Sequence, residues 1–377
     1  MNGAPAAPED LFLVSDLHLG AYEQPGGPHD RAFAEFVDAV ARAQDRRGRS
    51  WRLVLLGDFL DFPAAAPRTR SSRGIGAAAR AAAVMDRVQR CAPLSLAGVR
   101  SLLERGGRVD VVAGNHDFEL MHPDVQRVVA DRLRAGTGGL AFHPWLYRVD
   151  GLLHAEHGSQ HHDINRVGCL LAQAEQLSRG TPRTPAAVLA RAHRDGSAGT
   201  VRGMAGTAAV PILAAAMLVA ASRADGMRAR ASYAGHLEAY APSVDLPADV
   251  LAELDGVSRV STTATVLRIL RRTAGRGAQH EMNQVMTASA AAVHEVLRTH
   301  HRETPFYVFG HTHEARRVEL PTPRSSTDRP ALYLNTGTWS PFARGVNAVH
   351  QRDRPTWVHI DATACRARLC RWGVDKP

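Results

Sequence analysis

Five short segments of this 377-residue chain set acid, imidazole and amide side chains directly after apolar runs. They are Asp16-Leu17-His18, Gly57-Asp58, Gly114-Asn115-His116-Asp117, His157-Gly158 and Gly310-His311-Thr312-His313. Each has an ordinary reading by itself. Asp58 can cap a helix, Asn115 can make a turn, His157 can be a hydrogen-bonded core residue, and one His-x-His says little in a chain with 19 histidines. Taken together, three Asp, one Asn and five His at successive strand ends point to a metal centre. The mixed oxygen and nitrogen set suits Mn²⁺, Fe²⁺, Zn²⁺ or Mg²⁺ and not a soft thiolate site. In an extended segment residues two apart point the same way, so Asp16 and His18 are expected to face one ion.

The elements that would carry these groups can be read from hydropathy. Leu11–Ser15 is a short apolar run of strand length ending at Asp16, and "WRLVLLGD" runs into Asp58. A helix is expected over Asp30–Gln44, where Phe33, Phe36, Val37 and Val40 recur at helical spacing. Further helices are expected over Ala77–Arg90 and Leu96–Arg105, before the strand "RVDVVAGNHD". Strands alternating with helices, with polar groups at the strands' C-terminal ends, describe an α/β protein. Asp150-Gly151 between two apolar runs signals a hairpin whose second strand ends in His157. "PFYVFG" leads into His311, while "ALYLNTGTW" and "TWVHID" are expected to finish a second sheet. The domain reading is a core made of 1–163 and 301–377, split by a mostly helical insertion at 164–300.

Bulk composition narrows the function less. With 45% apolar and 22% charged residues the chain is an ordinary globular sequence. A formal charge of +9 would suit a nucleic acid, a phosphorylated substrate or an anionic membrane surface. Lys376 is the only lysine, however, and such an arginine- and alanine-rich bias is what GC-rich coding produces. Cys91, Cys169, Cys365 and Cys370 show no CxxC spacing, and the first ten residues show no signal-like segment. The expectation is therefore reduced thiols in a cytoplasmic protein. Residues 203–222 carry no charge and are flanked by Arg202 and Arg223. A true span there would set His157 and His311 on opposite sides of a bilayer, so a buried helix or a lid touching a membrane surface is expected instead.

The order DxH, GD, GNH(D/E), H and GHxH resembles the calcineurin-like metallophosphoesterase superfamily, and all five blocks stand here without substitution. The resemblance covers Leu11 to Trp339 apart from the helical interval. It implies a four-layer αββα fold with two packed mixed sheets, two divalent ions (Mn²⁺ foremost), and hydrolysis of a phosphoester or pyrophosphate bond. Carried over residue by residue, Asp16, His18 and His313 would hold one ion. Asn115, His157 and His311 would hold the other, and Asp58 would bridge them. Such a pair can clamp phosphoryl oxygens and lower the pKa of a water between them. His116 would stabilise the phosphoryl group or protonate the leaving oxygen, with Asp117 either orienting its ring or capping the following helix. Asp61 could orient a ligand histidine or simply make a turn. His161, His162 and Arg166, with Asp163 and Asn165, would form a substrate pocket or a solvated loop.

"GDFLDF" and "GNHD" differ from the GDxVDRG and GNHE of protein phosphatases. Repair exonucleases usually carry a capping domain after GHxH, whereas about 60 residues follow His313 here. The long helical interval is similar to that of the UDP-2,3-diacylglucosamine hydrolase branch, although that branch commonly has Arg at the position of His116 and a shorter insertion. The expected substrate is a small or lipid-linked phosphate compound. A nuclease or cyclic-nucleotide phosphodiesterase is the alternative, and a non-catalytic scaffold the least favoured.

Overall fold

The computed structural model describes residues 9–22, 25–66, 76–162, 165–167, 170–173, 233–257, 277–321, 330–341 and 354–377, with the backbone alone for 277–281. The architecture is α/β, with two mixed sheets flanked by helices. β1 (Asp10–Val14), β2 (Trp51–Leu56), β3 (Arg108–Val112) and β4 (Leu140–His143) run parallel in one sheet. β1 is buried along its whole length, which explains an apolar run with no alternation: both faces of a covered parallel sheet need apolar side chains.

α1 (Pro28–Arg47) begins with proline in its first turn and ends at Gly48, whose φ of 59° continues the chain in the left-handed region. Its stripe of Phe33, Phe36, Val37 and Val40 is buried, and the Phe36 ring lies 5.1 Å from Trp357 and 5.0 Å from Trp339. Next come α2 (Phe62–Ala65), α3 (Ala77–Cys91), α4 (Pro93–Glu104) and α5 (Pro123–Leu133), with α1 packed on α4 and α3 on α5. The residue before α4 is Ala92, which has no capping side chain. Asp30 of α1 supplies the missing acceptor, taking the N–H groups of Leu94 at 3.2 Å and Ser95 at 2.6 Å.

The second sheet holds β5 (Leu146–Val149), β6 (Leu153–Glu156), β7 (Phe306–Phe309), β8 (Arg316–Glu319) and β9 (Leu332–Asn335) in the order β5-β6-β7-β9-β8. β5 and β6 form the hairpin expected at Asp150-Gly151. β6, β7 and β9 are parallel, so His157 and Gly310 leave neighbouring strands at the same edge, joined by a hydrogen bond from the Gly310 N–H to the His157 carbonyl at 3.1 Å. Leu11, Leu13, Val54 and Leu56 of the first sheet share one buried cluster with Leu153, Ala155, Val308 and Leu334 of the second.

One sheet assignment differs from expectation. β10 (Thr356–Asp361) does not finish the second sheet but pairs antiparallel with β1, Phe12 opposite His359, and carries β11 (Arg366–Arg371) outside it. Burial explains the choice. Val358 and Ile360 enter the cluster between the sheets while Trp357 packs under α1, so β10 needs cover on both faces.

The chain divides into two compact units: Met1–His157 with Pro305–Glu319 and Arg329–Pro377, and Gly158–Thr304 with Leu320–Asp328. Both sheets lie in the first. In the second, α6 (Ala248–Val257) packs on α7 (Gly277–Thr299). The uncharged stretch 203–222 lies outside the described residues; among those described, no helix is long and apolar enough to cross a membrane.

Candidate metal centre

All five motif segments converge at one edge of the first unit. Among the described residues, groups able to hold a metal ion are formed by Asp16, His18 and His313, by Asp58, His157 and His311, and by His18, Asp61 and His116. The backbone is bent to achieve this. Nine described non-glycine residues have positive φ, and five of them are Asp16, His18, Asp58, His311 and His313. Such conformations cost about 1–3 kcal/mol each and persist where the surroundings impose them. Asp16 (φ 55°) and His18 (φ 51°) are therefore not an extended pair, as the strand reading implied. They converge through a left-handed turn, which brings His18 Nε2 to 3.9 Å from Asp16 Oδ1. Close approach fixes the glycines before Asp58 and Asn115: a Cβ on Gly57 would meet the His157 ring at 2.3 Å, and one on Gly114 would meet Asp58 Oδ1 at 2.3 Å.

Proton positions follow from the hydrogen bonds. His157 Nδ1 faces the Leu56 carbonyl at 3.0 Å, which can only accept, so the ring's proton sits on Nδ1 and the neutral ring presents a bare Nε2. That Nε2 lies 3.3 Å from Asp58 Oδ2 and 3.1 Å from Asn115 Oδ1. His18 Nδ1 likewise donates to Asp61 Oδ2 at 3.1 Å. Its Nε2 then faces His313 Nε2 at 3.3 Å and Asp58 Oδ2 at 3.6 Å, with His313 Nε2 in turn 3.1 Å from Asp16 Oδ1. With these rings neutral, electron-pair acceptors are turned toward one another. Asp16 Oδ1 is buried with no hydrogen-bond partner. Asp16, Asp58 and Asp61 are 0%, 1% and 5% exposed, and among the described residues their ion-pair partners are histidines. Burying a carboxylate without compensation costs several kcal/mol, so these donors fit divalent cations.

The electrostatics agree with that fit. Burial opposes ionisation of Asp16 and Asp58, yet His313 holds the first below the usual carboxylate range and His157 holds the second well below it. Burial also works against charge on His157 and His116. Asp58 overcomes it at His157, raised to about 9, and Asp58 with Asp61 overcomes it at His116, raised to about 10. The field that retains a proton on His157 would favour a metal cation in its place.

Of two neighbouring acids, Asp117 takes a role different from the one expected and Asp61 keeps its own. Asp117 neither orients His116 nor caps the following turn. Its carboxylate accepts the N–H groups of Gly114 at 2.6 Å, Phe59 at 2.7 Å, Leu60 at 3.2 Å and Asp58 at 3.3 Å, so it braces the loops that carry Asn115 and Asp58. The two adjacent residues part in the bend that follows β3: His116 is partly exposed while Asp117 is fully buried. Burial and the Asp58 charge push Asp117 up to about 7, against the pull of those N–H groups. Asp61 is the partner of His116, with Oδ2 at 3.0 Å from His116 Nδ1 while Oδ1 caps α2 through the Ala64 N–H at 2.8 Å. Its two alternatives, turn residue and histidine orienter, are both realised.

Asn335 ties the last ligand loop to β9, donating from Nδ2 to the Gly310 carbonyl at 2.7 Å and accepting the Gly337 N–H at 3.0 Å. The other candidates belong to the second unit, and none is part of the metal-capable groups among the described residues. His161 and His162 are buried there, His162 Nδ1 accepting from Asn165 Nδ2 at 2.8 Å. Arg166 donates to the Asp255 carbonyl at 3.0 Å, tying its segment to α6, and Asp163 lies outside the described residues. In comparisons with known proteins, no family model matches the chain and no curated protein matches it significantly.

Proposed function

We propose that the chain is a metallophosphoesterase of the calcineurin-like type, with the αββα core of that superfamily, that hydrolyses a phosphoester or pyrophosphate bond in a small or lipid-linked substrate. One observation carries the reading. Asp58 Oδ2 lies 3.6 Å from His18 Nε2 and 3.3 Å from His157 Nε2, so a single carboxylate oxygen serves two groups of bare acceptors. Asp16, His18 and His313 would hold one divalent ion, Asn115, His157 and His311 the other, and Asp58 would touch both, with Mn²⁺ the first candidate. When bound, two such cations supply Lewis acidity to phosphoryl oxygens and acidify water.

The remaining work falls to His116. Asp61 occupies its Nδ1 and fixes the tautomer, which leaves Nε2 to hold a proton at the open side of the site. Its side chain is 37% exposed, against 7% for His18 and 2% for His157, an openness matched at the centre by His313 at 30%, so His116 can meet substrate. The raised imidazole is suited to deliver a proton to a leaving oxygen or to balance phosphoryl charge.

A Mn²⁺-supplemented panel of a phosphomonoester, a diester, a cyclic nucleotide, a nucleotide diphospholipid and single-stranded DNA tests the proposal. Metal-dependent turnover of the monoester or the diphospholipid, lost in Asp58→Asn, supports it. Activity confined to DNA would replace the substrate class with a nuclease. Absence of turnover with every substrate and metal would overturn the enzyme reading.

A further inference from the structure

Asp16 presents its two carboxylate oxygens to different surroundings. Oδ1 is the orphan that faces His313. Oδ2 is fully engaged: it accepts the His311 N–H at 3.0 Å and lies in very close contact with Ser15 Oγ. Ser15 Oγ is in turn 2.6 Å from Thr336 Oγ1, a residue 321 positions away on the loop that follows β9. Both hydroxyl-bearing residues are 0% exposed.

The proton order in this chain is fixed by its end. A carboxylate oxygen can only accept, so Ser15 must point its single proton at Asp16; any other direction would set hydroxyl lone pairs against an anion at very short range. Ser15 could otherwise donate to the Gly337 carbonyl at 3.3 Å, a longer bond to a neutral acceptor. With its proton committed, Ser15 accepts from Thr336, whose own alternative is the Phe309 carbonyl at 3.4 Å. Thr336 is held in place by its neighbours: its N–H donates to the Phe309 carbonyl at 3.0 Å, and its carbonyl accepts from Thr356 Oγ1 at 2.5 Å.

We infer that Thr336 and Ser15 form a buried two-hydroxyl relay that holds Asp16 with one oxygen satisfied and the other bare, which makes them positioning residues for the cation group of Asp16, His18 and His313. The inference rests on the metal reading proposed above. Partners that orient a metal ligand are typically worth about 10–100-fold in metal affinity. The relay reaches Asp16 and not Asp58 or His157, so its loss should fall on one of two ions.

Mn²⁺ titration followed by calorimetry and by the electron paramagnetic resonance of free Mn²⁺ reads both sites at once. Wild type, Ser15→Ala, Thr336→Val and Thr336→Ser are compared, with circular dichroism checking each fold. The expected result is two ions for wild type and a loss of about 10–100-fold at one site in Ser15→Ala and Thr336→Val. Thr336→Ser, which keeps the hydroxyl, should stay near wild type. Should Thr336→Val fail to fold, Ser15→Ala decides alone, since it removes one oxygen and no volume the core depends on. Wild-type affinity at both sites in Ser15→Ala would overturn the relay. So would equal weakening of both sites in every variant, Thr336→Ser included. A wild type that binds no Mn²⁺ would overturn the metal reading itself, and the relay with it.

Discussion

The first sheet concentrates acids at both of its ends, and the two ends treat them in opposite ways. Where β1, β2 and β3 begin, every carboxylate has an arginine. Arg49 contacts Asp10 at 3.1 Å and Asp361 at 3.2 Å, Arg52 bridges Glu9 and Asp110 at 2.9 Å each, and Arg108 meets Glu9 at 2.9 Å. Where the same strands finish, Asp16, Asp58 and Asp61 are buried too, and their ion-pair partners among the described residues are imidazoles and not arginines. One end is electrostatically closed within the protein and the other is open to an outside cation. A chain with 46 basic residues had arginines to spare, so their absence from these pairs is informative. On the proposed function, the starting ends serve stability and the finishing ends serve cation binding.

That contrast can be broken by substitution. The largest effect should come from Asp58→Asn, which removes the shared charge: turnover should fall by roughly 10³-fold, the upper range for losing one electrostatic partner of a reacting group. Turnover kept within tenfold of wild type would show that the two groups do not work through Asp58. At the closed end, Arg52→Leu strands Asp110, which is 2% exposed and among the described residues keeps His143 as its ion-pair partner at 2.7 Å. Denaturant unfolding should record a loss of about 3 kcal/mol with Mn²⁺ affinity unchanged. A change in metal affinity there would mean the two ends are not independent.

His116→Ala should come next, lowering kcat by about 10²-fold while elemental analysis finds the metal content intact. Loss of metal would make His116 a ligand, through the group it forms with His18 and Asp61. The smallest effect is one of pH. The metal-free protein holds His157 protonated up to about 9, and that proton must leave before Nε2 can bind a cation. Apparent Mn²⁺ affinity of the group that holds His157 should therefore rise by about tenfold per unit as pH increases from 6.5 to 8.5, one proton being released there. Calorimetry in buffers of different ionisation enthalpy measures that proton, and a flat profile would place the bare nitrogen elsewhere.

How much of this was legible in the sequence depended on whether a feature was local. β1, β2 and β3 announce themselves because a strand covered on both faces must be continuously apolar, and the ligands stand directly after them. β4, β8 and β11 did not, since each is an edge strand with exposed positions: "RRVE" and "RARLCR" read as charged loops until their neighbours are known. The sheet to which β10 belongs could not be read from "TWVHID", because its apolar character suits either sheet and only pairing with β1 decides. At the centre, adjacency misled. Asp117 stands next to His116 in sequence, but consecutive side chains diverge, and the ring's partner is Asp61 from another loop. The tie between Ser15 and Thr336 has no local sign, because folding alone joins them across 321 positions.

On the proposed function, the finishing ends of the strands hold two cations that share Asp58. Equilibrium dialysis against Mn²⁺, followed by elemental analysis of wild type and Asp58→Asn, measures it directly. Two ions per chain are expected in wild type and fewer than two in the variant under the same free Mn²⁺. Binding of no ion by wild type, or of two with equal affinity by both proteins, would contradict it.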